Sequence, residues 1–119
     1  MRTLLSFFVV LFFAFPAFAD SMTEDQKIDA LLDTIGSPDV VFISNGEEHD
    51  GDYARDHLAK KMKDIKNIKT ANDFITKVAS KASETGTPYY IKLKDGSKVE
   101  SGVWLRQQLK EIENTEMMD

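Results

Sequence analysis

The chain predicts an α+β domain: a small antiparallel sheet, built from one short strand and a β-hairpin, packed against about four helices in the order α-β-α-α-β-β-α. Three observations carry this. Several segments repeat apolar residues at helical spacing between capping and stop signals. "VVFI", residues 40–43, is a short β-branched and aromatic run bracketed by Pro38 and Asn45-Gly46. "YYIKLKDGSKVE", residues 89–100, alternates around an Asp-Gly turn.

The first helix is read from "TEDQKIDALLDTIG", residues 23–36. Thr23 and Gln26 have capping-box spacing, and Ile28, Leu31, Leu32 and Ile35 share one face. Gly36 and Ser37-Pro38 end it. After the strand, Asp50 is the best cap for a second helix, with Ala54, His57 or Leu58, Met62 and Ile65 facing inward. Thr70 and Asp73 form a second capping box for a third helix, expected to run to Gly86 with a stripe of Ala71, Phe74, Ile75, Val78, Ala79 and Ala82. In the hairpin, a three-residue loop 94–96 with Gly96 left-handed sets Val99 opposite Ile91 and buries Ile91, Leu93 and Val99 together, whereas a two-residue loop would place Val99 opposite Lys92. Ser101 is expected to cap the fourth helix, and the polar tail from Glu113 to fray.

Residues 1–19 read as an export signal. Arg2 precedes the apolar run "LLSFFVVLFFAF", Pro16 breaks it, and "AFA" offers small residues for cleavage after Ala19. The run is shorter than the ~20 apolar residues of a spanning helix, so no membrane insertion is expected once the signal is removed. The 100 residues from Asp20 to Asp119 then form a single domain, and losing Arg2 takes the formal charge from -5 to -6. That balance argues against nucleic acid or an anionic bilayer as partner. The chain has no Cys, which removes disulfides, thiolate catalysis and Cys-ligated zinc. The style of the signal points to the periplasm.

Both histidines fall in "FISNGEEHDGDYARDHL", residues 42–58. On a single helix, His49 and His57 would stand about 12 Å apart along the axis, too far to share one zinc ion. His49 would have to fold back from a loop for a common metal. Neither HExxH nor an EF-hand spacing is present, and the carboxylates 47–52 suit a solvated helix start. Tyr53 and His57 share a helix face at i, i+4, and His49 would join them only if the helix began before residue 49, which Gly51 disfavours. No Gly-x-Ser-x-Gly elbow or phosphate loop occurs. Tyr90, on the hairpin's outer face, is expected to be an exposed aromatic.

The segments "FISNGEEHDGDYARDHLAKKM", "IKTANDFITKVASKASETGTPYYIKLKDG" and "SGVWL" resemble the YfeK-like family of small exported bacterial proteins. The resemblance rests on Phe42, Ile43, Asn45, Gly46, His49, His57 and Leu58, and on Thr70, Ala71, Phe74, Ile75, Val78, Ala79 and Ser80 with Gly86, Pro88 and Tyr89. Where that pattern commonly carries an acid, this chain has Tyr53. The family implies location and class but no established activity or cofactor.

The expected function is therefore a non-enzymatic periplasmic module that binds an envelope protein or other periplasmic ligand. Its patch would comprise Asn45, Gly46, His49, Tyr53, His57 and Tyr90, with no cofactor. A small hydrolase or metal-dependent enzyme using His49 and His57, and a pH-responsive envelope protein, are the alternatives.

Overall fold

The structure, a computed structural model, describes residues 22–118. The expected signal segment and its cleavage site lie outside these residues. Helix α1 (Glu24–Ile35) starts at the expected capping box: Thr23 Oγ1 accepts from the Gln26 N–H at 3.1 Å, and Gln26 Oε1 accepts from the Thr23 N–H at 2.9 Å. Its apolar face, Ile28, Leu31, Leu32 and Ile35, is buried.

Strand β1 (Val41–Ser44) leads into an Asn45-Gly46 turn with φ of 51° and 83°. Two consecutive positive φ values describe the tight hairpin turn that Asn-Gly favours. The chain therefore doubles back into β2 (Glu47–His49), with Phe42 opposite His49 and Ser44 opposite Glu47. The expected α+β class and element order hold, and the sheet gains this strand at its edge. Its three polar residues carry no alternation to read; backbone pairing to β1 makes it a strand.

Helix α2 (Gly51–Asp64) begins one residue later, capped by Asp50, whose carboxylate accepts from the Tyr53 N–H at 2.9 Å. Ala54 and Leu58 face the core, which leaves His57 at its edge. Helix α3 (Ala71–Lys77) has the expected Thr70/Asp73 box, but it spans 7 residues and stops well before Gly86. Ser80 Oγ donates to Ile75 O at 2.6 Å, and the backbone of 80–82 pairs with 87–89 through Tyr89 N–H to Ser80 O and Ala82 N–H to Thr87 O, both 2.9 Å. A side-chain hydroxyl and a partner segment thus take the backbone groups that the helix would have used. The predicted stripe from Ala71 to Ala82 is buried all the same.

Strands β3 (Tyr90–Lys92) and β4 (Lys98–Glu100) pair with Ile91 opposite Val99 and Gly96 at φ 88°, which is the longer-loop register. Helix α4 (Ser101–Met118) follows at once and continues past Glu113, where the tail was expected to fray. Glu113 is anchored there by Lys27 of α1, at 3.0 Å. Ser101 does not act as the expected cap. Its N–H donates to Tyr89 O at 2.8 Å, prolonging the β3–β4 ladder, and this buries its hydroxyl, which has no hydrogen-bond partner among the described residues.

The sheet order is β2-β1-β3-β4, every pair antiparallel. One row across it is His49, Phe42, Ile91 and Val99; the next is Glu48, Ile43, Tyr90 and Glu100. Phe42 and Ile91 belong to the core with Leu31, Leu58, Phe74 and Leu105, whereas Ile43 is buried outside it. The helices therefore cover the first face, and His49 points to their side.

Candidate functional site

The corner where β2 meets α2 gathers three rings. His49 ends β2, Asp50 turns the chain, and Tyr53 and His57 occupy successive turns of α2. The His49 and Tyr53 rings stack with centroids 4.2 Å apart and planes 14° apart; Tyr53 and His57 follow at 5.9 Å and 8°. The stripe forms although the helix starts at Gly51. The reason is β2, which brings His49 over the first turn from outside the helix. Tyr53 is 50 % exposed, so this stack lies at the surface and contributes little to the core.

The stack bears on metal chemistry. Tyr53 lies between two parallel imidazoles, so their in-plane nitrogens do not converge on one ion. Among the described residues, no three His, Asp or Glu side chains form a metal-holding group. Burial lowers the His57 pKa, assisted by Lys61 and by the neighbouring His49. Glu47 Oε1 lies 3.9 Å from His49 Nε2, a long contact on an exposed carboxylate.

Asn45 and Gly46 form the hairpin tip. Asn45 Oδ1 accepts from Thr85 Oγ1 at 3.1 Å and ties the tip to the 82–87 turn. Asn45, His49, Tyr53 and His57 therefore share one end of the molecule. Tyr90 does not join them: strand alternation puts it on the opposite face, in the row of Ile43 and Glu48, and it is half-buried where exposure was expected.

His57 and Asn45 also border a cleft of about 560 Å³ between α2, the hairpin tip and the 82–84 turn. Lys61 and Tyr89 line it; Tyr89 enters the sequence reading as part of the family pattern, and neither residue was placed in the expected patch. Lys61 Nζ donates to Lys81 O at 2.7 Å and to the Tyr89 hydroxyl at 3.0 Å, and lies 4.8 Å from the Tyr89 ring centroid. Among the described residues no carboxylate comes within ion-pair distance of it. Burial lowers the Lys61 pKa, and burial, with Tyr53 and Glu84 nearby, raises that of Tyr89. The sequence did hold a signal: 53, 57 and 61 continue one i, i+4 line along the helix. The alternation of the hairpin likewise sets Tyr89 on the inner side with Ile91.

Among the described residues, no helix is long and apolar enough to cross a membrane. The model of a family of unknown function, DUF5329, matches residues 22–113. An uncharacterized protein, YfeK of Salmonella typhimurium strain LT2, is 37 % identical over 92 residues, which span 75 % of this chain and 77 % of the relative. No solved structure matches. The family match takes in both capping boxes, the ring stack and the cleft, and with it the chain belongs to the DUF5329 family of unknown function.

Proposed function

We propose that this protein is exported to the periplasm, loses residues 1–19 there, and works as a binding module whose contact face is the β2–α2 corner with its adjoining cleft. The observation that carries the reading is the His49–Tyr53–His57 stack. A half-exposed tyrosine held between two imidazoles is a preorganised aromatic surface, since its rotamer freedom is already spent on ring contacts before any partner arrives. Tyrosine is enriched at recognition surfaces because it brings large amphipathic area with few torsions to fix. The parallel imidazoles suit contact better than proton relay or shared ligation. The apolar run 4–15 and "AFA" before Asp20 support export.

Immobilised wild-type protein should capture an envelope component that the triple variant His49→Ala, Tyr53→Ala, His57→Ala does not, with the variant's thermal melting still cooperative. Equal capture by both proteins would remove the corner from the binding face. Loss of cooperative melting would make the stack a structural element instead.

A further inference from the structure

We propose that the floor of the cleft is a receptor for the carboxylate of a small monoanion or zwitterion, gripped by the Lys61 ammonium and the Tyr89 hydroxyl. The inference rests on the reading of this end of the molecule as a binding face, and it adds the chemical class of one ligand.

The donor inventory carries it. An ammonium has three N–H bonds. Lys61 commits two, to Lys81 O and the Tyr89 hydroxyl, and has one without a protein acceptor among the described residues. The Tyr89 oxygen accepts from Lys61, and its own hydrogen likewise has no protein acceptor there. Both groups line the same cleft, and they sit 3.0 Å apart, so their spare donors fall within the span of the two oxygens of one carboxylate. Lys61 is held by neutral oxygens, and among the described residues no carboxylate lies within ion-pair distance of it. A carboxylate arriving there would gain charge-assisted hydrogen bonds in a partly desolvated site, where they are stronger than in water. Burial lowers the Lys61 pKa, and a carboxylate bound at the cleft floor would offset that desolvation.

The walls narrow the class. Asp64 and Glu84 line the cleft too, and Glu84 acts electrostatically on Tyr89. Two carboxylates repel a doubly charged anion such as phosphate, and the acidic chain as a whole adds to that. The same pair would welcome an ammonium on the ligand's far side. The site thus suits a monocarboxylate, supplied as a simple organic acid or as an amino acid.

Amide NMR shifts of the purified protein, followed on titration with sodium acetate, glycine, glycinamide and inorganic phosphate, test this. Acetate or glycine should perturb the amides of Lys61, Glu84 and Tyr89 saturably. Lys61→Met and Tyr89→Phe should each weaken that binding by about tenfold, the effect of losing one charge-assisted hydrogen bond. Tighter binding of glycine identifies amino acids as the source; tighter binding of acetate identifies simple acids. Phosphate binding as tightly as acetate, glycinamide binding as tightly as glycine, or unchanged affinity in both variants would overturn the proposal. If Lys61→Met does not fold, Tyr89→Phe and the wild-type arms decide. A wild type blind to acetate and glycine, whose corner variant still loses its partner, overturns this inference and leaves the binding-module reading in place.

Discussion

At His57, burial, the Lys61 ammonium and the His49 ring all oppose a positive charge, and no carboxylate within ion-pair distance counters them among the described residues. Its folded pKa lies below the unfolded value of 6.5, so the unfolded chain binds the proton more readily. Stability is therefore full above 6.5 and falls as pH drops through 6.5 toward the lowered folded value. The Tyr53 ring stacks on His57, and Lys60, Asp64 and Glu84 line the same cleft. Melting of the wild type at pH 7.5 and pH 5 should show a drop that His57→Gln reduces. An identical drop in the variant would assign the acid sensitivity to other groups. Residue-scale reading also succeeded where chemistry is local. Thr23 with Gln26, and Thr70 with Asp73, cap their helices as spacing alone implies, because each bond closes within one turn. Ser101 failed because its fate is set by Tyr89, twelve positions away.

Among the elements, α1 and α2 meet in a close junction. A methyl group on Gly51 would come within 2.7 Å of both Ile35 O and Gly36 C, backbone atoms that cannot swing aside. With Asp50 as the cap, Gly51 is the first helical residue, kept small by α1's last turn. The Arg55–Asp33 ion pair at 2.9 Å spans the same junction, but both side chains are exposed and it contributes little. Gly51→Ala should destabilise the fold by about 2–3 kcal/mol in urea unfolding, the scale of overpacking against a rigid neighbour. The better helix propensity of alanine would offset less than about 1 kcal/mol of that. A neutral result would mean that the two helices separate freely. The elements that sequence misjudged share a cause. Strand β2 and the segment after Lys77 take their form from backbone pairing across a turn, with β1 in one case and residues 87–89 in the other, and not from an apolar pattern of their own. Helix periodicity and the 94–96 loop register were legible because apolar residues must point to one side. The ring stack was missed as a unit since it joins a strand to a helix.

Over the whole molecule, a few polar ties fasten helices whose faces are otherwise joined by packing. Lys27 reaches Glu24 at 3.3 Å and Glu113 at 3.0 Å, linking α1 to α4. Glu24 in turn accepts from the Ala71 N–H at 2.8 Å, satisfying a free donor at the start of α3 and lowering its own pKa. The domain thus closes without disulfides, as a chain lacking Cys must. The proposed export makes a prediction at this scale: intact-mass measurement on protein isolated from the envelope should give a chain beginning at Asp20. A species retaining Met1 would contradict it.

Strand β2, one of the sheet's two edge strands, carries Glu47 and Glu48 at that margin, both exposed. Another copy adding its own β2 there would set like charges side by side, so growth of the sheet into aggregates is opposed at this edge. Lys92, 2.7 Å from Glu48, keeps that carboxylate ionised into more acidic surroundings than an isolated one, so part of this guard persists when the medium sours.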